Sequence, residues 1–273
     1  MTLTRTCAAV LLAAFAGAAA VVLVTQTQIH AQAQNPAAPT PAQIPTPSRP
    51  QPPAAPTTNR SLIFLDPAHG GADSGATLGD HILEKDVTLA FATRLRSALT
   101  SAGFTVVTTR DADPSDPLTP DQRAETANRS HAAACIVLHA TAVGSGVHVY
   151  TSTLEPALPE DADSSSAYVP VPWETAQASF VDQSRSLADI LKTALAKASL
   201  PALTGQAPLR PLDNLMCPAV AVEIAPNAGT AAPANDSDYQ QHIAFALTTA
   251  LQKWRDQLAP APASPASPVG PPQ

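Results

Sequence analysis

Aromatic residues make up only 4% of the 273 residues and charged residues only 14%. A folded domain must therefore rest on Ala, Val, Leu and Ile, which suits stacked α/β layers better than an aromatic-rich sandwich. Basic charge is also short, since 15 Lys and Arg face 22 Asp and Glu, for a formal charge of -7 and a pI near 5.4. That balance lacks the basic face a phosphate-backbone binder needs, so no nucleic-acid partner is expected. Cysteine is scarce at three residues. Cys135 and Cys217 are far apart and belong to no close metal-binding pair, which excludes a cysteine-based zinc site. Both lie in apolar sequence and read as buried thiols acting as small hydrophobes, ahead of the single bridge that an oxidising compartment would permit. The short helical zinc motif His-Glu-x-x-His is absent as well.

Proline, by contrast, is abundant at 29 residues, with nine in Gln34 to Arg60 and six in Ala259 to Gln273. These stretches, 34–60 and 259–273, have no apolar periodicity and read as an extended Pro/Ala-rich linker and a disordered tail. Ahead of the linker, Arg5 precedes an uncharged run from Cys7 to Val24 and then Ala31-Gln32-Ala33. This is the pattern of a secretory signal peptide over residues 1–33, cleaved after Ala33, and it implies export to the periplasm or cell envelope. The alternative is an uncleaved anchor, because the run just reaches bilayer-spanning length; a membrane contact is expected only in that case. Cys7 follows Thr4-Arg5-Thr6, which is too polar for a lipidation site.

Residues 61–258 carry the pattern of one α/β domain. Leu62 to Leu65 reads as a strand ending in the Gly- and Pro-marked loop Asp66 to Gly71. Val87, Leu89, Phe91, Leu95 and Leu99 place a helix over Glu84 to Ala102, closed by Gly103. Phe104 to Thr108 follows as a strand, Pro120 to Ser130 as a helix, and Cys135 to Leu138 as a buried strand ending at His139. Gly146 to Thr151 reads as another strand, Leu154 to Pro172 as an irregular acidic insertion, and Ala176 to Ala198 as a helix. Ala219 to Ile224 is a buried strand, and a last helix covers Tyr239 to Leu258. The alternation predicts a largely parallel sheet with helices on its faces.

Functional groups in open α/β sheets gather beyond the carboxyl ends of the strands. His69, His139 and Glu223 each fall at such an end, and Glu84 opens the helix after the first loop. Two imidazoles and a carboxylate are the usual protein ligands of a catalytic zinc, and the remaining carboxylate would then act as base. On residue type and spacing alone, satisfied core histidines compete with this reading.

The segment Ile63-Phe64-Leu65-Asp66-Pro67-Ala68-His69-Gly70-Gly71-Ala72-Asp73-Ser74-Gly75-Ala76 resembles the first motif of the zinc-dependent N-acetylmuramoyl-L-alanine amidases. In order along the chain, Glu84-Lys85-Asp86 is similar to the second motif, Leu138-His139-Ala140 to the third, and Pro218 to Glu223 to the last. Thr109-Arg110, Arg123 and Ala127-Asn128 are similar to the middle region. The resemblance spans nearly all of Ser61 to Leu258 and implies a twisted, mainly parallel sheet flanked by helices on both faces, a phosphorylase/hydrolase-like α/β fold. It further implies one Zn2+ held by His69, Glu84 and His139, with Glu223 assisting catalysis. The implied substrate is peptidoglycan, cut between the lactyl group of N-acetylmuramic acid and L-alanine by zinc-bound water. Glu223 would take the water proton and pass it to the leaving amine.

Some positions depart from that pattern. Ala68 replaces a usual glycine, Thr141 stands where asparagine is common, Ile224 to Asn227 replaces a Gly-Phe-containing stretch, and no Arg-Gly element appears in Leu203 to Gln206. The alternative function is therefore a non-catalytic wall-binding or regulatory module with the same fold, and a zinc peptidase acting on stem peptides is a third reading. No second wall-binding domain is recognisable, so targeting would come from the domain itself, the tether or a protein activator. His81, His131, His148 and His242 read as loop or surface histidines without a role. Arg110 and Arg123 read as structural, and Trp173 as either a sugar platform or a packing residue.

Overall fold

A computed structural model describes residues 59–157 and 172–258. The expected signal peptide, nearly all of the linker, most of the acidic insertion and the tail lie outside these residues. Among the described residues no helix is long and apolar enough to cross a membrane.

Six strands form one sheet: β1 (Asn59–Pro67), β4 (Thr105–Thr108), β5 (Ala132–Ala140), β6 (Val147–Thr151), β7 (Ala202–Gln206) and β8 (Ala219–Ile224). Their spatial order is β4-β1-β5-β8-β6-β7. The first four pair in parallel, while β6 runs antiparallel to β8 and carries β7 parallel to itself. A small hairpin, β2 (Thr77–Gly79) and β3 (Ile82–Leu83), lies between β1 and the first helix. The helices are α1 (Glu84–Ser101), α2 (Pro120–Ser130), α3 (Val181–Lys197) and α4 (Ser237–Gln257).

Strand alternation sorts the core onto two faces. Ile63, Leu65, Ile136, Leu138, Val220 and Val222 join the apolar stripes of α1, α3 and α4 on one face. Phe64, Cys135, Val137, Ala219 and Ala221 meet Ala124 and Ala127 of α2 with Leu212 and Leu215 on the other. The result is a mixed, mostly parallel sheet with helices on both faces. Helix ends follow local chemistry: Thr119 and Gln122 form a reciprocal capping box ahead of α2, and the Asp236 side chain accepts from the Tyr239 N–H at the start of α4.

Four features differ from the sequence reading. β1 begins at Asn59, two residues inside the expected linker. The helix expected from Ala176 divides into a 3-10 segment, Trp173–Phe180, and α3, because Phe180 (φ -122°) leaves the helical region. β7 and the hairpin were not foreseen, being short and largely exposed. Most consequentially, Cys135 and Cys217 are not free thiols but a disulfide, with Cα atoms 6.2 Å apart. The parallel pairing of β5 with β8 sets Cys135 opposite Ala219, and so brings together two residues 82 positions apart.

Candidate active site

The carboxyl ends of three neighbouring strands carry the groups singled out from sequence. His69 follows β1, while His139 on β5 and Glu223 on β8 are direct register partners. Alternation puts His139, Glu223 and, on β6, His148 and Tyr150 on the face opposite Leu138, Val222 and Val149. That face carries α2 and leaves a recess of about 260 Å³ lined by His139, Tyr150, Ala207, Leu209, Ala221 and Glu223.

Glu84 opens α1, where its negative charge suits the positive end of the helix dipole. Its carboxylate is the hub of the cluster. Oε1 accepts from His139 Nδ1 at 2.8 Å and from the Ala140 N–H at 3.2 Å. Oε2 lies 3.1 Å from His69 Nε2 and accepts from the Ala76 N–H at 2.9 Å. Burial works against ionisation of Glu84, yet the hydrogen bonds from His139, His69 and Ala76 outweigh it and hold its pKa well below the usual carboxylate range. His69 is pinned from behind, its Nδ1 lying 2.9 and 3.0 Å from the two oxygens of Asp73.

One ligand-type atom from each of His69, Glu84 and His139 falls within 4.8 Å of the others. Two imidazole nitrogens and one carboxylate oxygen are the donor set zinc favours with a position left open. The Asp73 carboxylate fixes the His69 ring with Nε2 turned to the cluster, as outer partners of metal-binding histidines do. The residues present thus fit a single zinc ion.

Gly75 is the tight point of this assembly. Its φ of +65° is left-handed, and a Cβ there would stand 2.6 Å from His69 Cδ2 and 2.8 Å from Glu84 Oε2. Gly75→Ala is expected to weaken the metal affinity of this cluster roughly tenfold or more while the domain still folds, as read by chelator competition and circular dichroism. Unchanged affinity would show that the loop yields without disturbing the ligands.

The arginines hold the His69 loop. Arg123 Nη1 donates to Asp66 Oδ1 (2.6 Å) and to the Pro67 carbonyl (3.0 Å), and Nη2 donates to the His69 carbonyl (2.7 Å). Arg110 donates to the carbonyls of Pro67, Ala68 and Lys85. Both are buried and face the chain rather than the recess, in keeping with the structural role read from sequence. Ala68, despite replacing glycine, is 5% exposed, and its carbonyl accepts from Thr88 Oγ1. Trp173 Nε1 donates to Asp121 at the start of α2.

Of the histidines set aside, His81 lies exposed at the hairpin turn, His131 caps the end of α2, and His242 is exposed on α4. His148, expected to have no role, proves otherwise: within the strand expected at Gly146 to Thr151 it sits on β6 with Nδ1 2.9 Å from Glu223 Oε2. Tyr150, two residues on, shares the recess, and its pKa is raised by burial and by the Glu223 charge. The Val-His-Val-Tyr alternation did put both on one face, but their partner depends on an antiparallel register that sequence does not reveal.

The family profile described as N-acetylmuramoyl-L-alanine amidase matches residues 63–253. A stretch of 98 residues is 39% identical to the germination-specific N-acetylmuramoyl-L-alanine amidase of Bacillus subtilis (strain 168), covering 31% of this chain and 40% of that protein. The fold is similar to the N-acetylmuramoyl-L-alanine amidase AmiC2 of Nostoc punctiforme, with TM-score 0.54 and 24% identity over 72% of this chain and 98% of that one. It is also similar to the CwlD amidase of Clostridioides difficile, solved in complex with the GerS lipoprotein, with TM-score 0.53 and 22% identity over 72% and 99%. The profile match runs from β1 into α4 and takes in all four of His69, Glu84, His139 and Glu223, and the chain belongs to the N-acetylmuramoyl-L-alanine amidase family.

Proposed function

We propose that this domain hydrolyses the amide between the lactyl group of N-acetylmuramic acid and L-alanine in peptidoglycan, with Zn2+ held by His69, Glu84 and His139. The observation that carries the reading is the clustering of that donor set, whose His139 shares a recess with Glu223, within a chain of this family. Zinc, when bound, supplies a Lewis acid and brings the pKa of water near neutrality.

The chain's own groups do the rest. Glu223 takes the proton of the attacking water and returns it to the departing nitrogen of L-alanine, which must leave as an amine. Asp73 keeps His69 turned to the cluster, and the hydrogen bonds from His139, His69 and the Ala76 N–H outweigh burial and hold Glu84 in its charged form. The N-terminal sequence supports export to the cell envelope, where the polymer lies. Because CwlD was solved with a lipoprotein, an accessory protein belongs to this reading as a candidate activator.

The test is mass spectrometry of purified peptidoglycan incubated with zinc-loaded protein. Stem peptides released with a free L-alanine amino terminus, and lost on chelation, are the expected result. Cleavage inside the stem would make it a peptidase instead. A folded, zinc-bound protein that releases nothing, with or without an accessory protein, would favour a wall-binding module.

A further inference from the structure

Glu223 has a neighbour that the chemistry above does not use. His148 stands directly opposite it, paired across the antiparallel β6–β8 ladder. Its Nδ1 lies 2.9 Å from Glu223 Oε2, and its Nε2 lies 3.2 Å from the Ser145 carbonyl oxygen. Each ring nitrogen thus has an oxygen neighbour, so the ring is held from both sides.

The ring has little room to turn. The His148 side chain is 13% exposed, and the Tyr150 ring meets it edge-on at 6.2 Å between centroids. Gly144 lies so close that a Cβ there would come within 3.0 Å of His148 Cε1. Glu223, by contrast, is more open at 27% side-chain exposure. The last torsion of a glutamate is broad and two-fold, so an unrestrained carboxylate at the mouth of the recess would sweep a wide arc. A fixed donor on Oε2 removes that freedom.

His148 is not part of the metal group, which among the described residues comprises His69, Glu84 and His139. We propose that His148 is a positioning residue for Glu223, clamping Oε2 so that the carboxylate meets water and leaving nitrogen in one orientation. The inference rests on Glu223 being the acid/base group. It extends the working machinery from β8 to β6, the strand that reverses the sheet's direction.

The test compares full-chain, zinc-loaded wild type with His148→Leu and His148→Asn on a soluble muropeptide. Leucine removes the donor, whereas asparagine sets an amide N–H near the place of Nδ1. His148→Leu is expected to lose roughly 10–100-fold in kcat, the usual cost of losing such a supporting partner, with KM, zinc content and melting temperature near wild type. His148→Asn is expected to recover most of that loss, and His148→Leu added to Glu223→Ala is expected to cost nothing more. Wild-type kcat in His148→Leu, equal losses in both variants, or a loss that tracks zinc content or melting would each overturn the positioning role alone. A wild type that releases no L-alanine-terminated peptide would overturn the amidase reading and this inference with it.

Discussion

Glu223→Ala is expected to bind zinc as wild type does and to lose turnover by about 10²–10⁴-fold, the usual contribution of a positioned acid/base group. The expectation follows from how the cluster is wired. Glu84 joins His69 and His139 directly and is locked by two backbone N–H groups, whereas Glu223 makes its hydrogen bond to His148. Removing Glu223 therefore leaves all three donors in place. His139→Ala is the contrasting case, since it deletes a donor and should lose both metal and activity. Metal content by elemental analysis, read beside stem-peptide release, separates the two. An undiminished rate in Glu223→Ala would remove that residue from the mechanism.

Arg123→Met should cost about 3–5 kcal/mol of stability, because Asp66 stays behind as a buried carboxylate without its ion-pair partner, held only by the Thr109 hydroxyl. Asp66 is fully buried and Arg123 is 5% exposed, so water screens neither. For a domain of this size the loss corresponds to a melting temperature lower by on the order of 10 °C. The guanidinium also ties the His69 carbonyl to α2, so zinc affinity should fall with it. Asp66→Leu combined with Arg123→Met distinguishes the two effects. Removing both charges is expected to restore much of the stability, as replacing a buried pair by apolar residues often does, but not the metal affinity. A stability change below about 1 kcal/mol in the single variant would mean that water reaches Asp66 after all.

Much of the fold was legible because a parallel sheet buried on both faces leaves uninterrupted apolar runs bounded by glycine and proline. Ala219 to Ile224 and Pro120 to Ser130 are read with their observed bounds, and Glu84 opens its helix as expected. His69, His139 and Glu223 were legible for the same reason, each standing where such a run ends. What escaped depends on pairing between distant segments. Nothing local to Val147 to Thr151 says that it runs antiparallel to β8, so the partner of His148 stayed hidden. The Cys135–Cys217 bond escaped likewise, since it follows from the β5–β8 register. β7 lacks a buried face, and so lacks the periodic signal that marks a strand.

A hollow of about 590 Å³ lies at the amino ends of the parallel strands, bordered by Ala132, Ala133 and Pro218 and also by Arg60 and Leu258. The domain's first and last described turns of chain therefore leave by the same door. β1 alone carries the chain roughly 25 Å from there to the loop of His69. A bead, dye or affinity handle coupled at Arg60 or Leu258 consequently rides behind the domain and leaves the recess free to press against an insoluble polymer. Because Arg60 and Leu258 border one hollow, a short bridge between them would close residues 60–258 into a ring, which could then be reopened at an exposed loop on the rim without moving His69, Glu84 or His139.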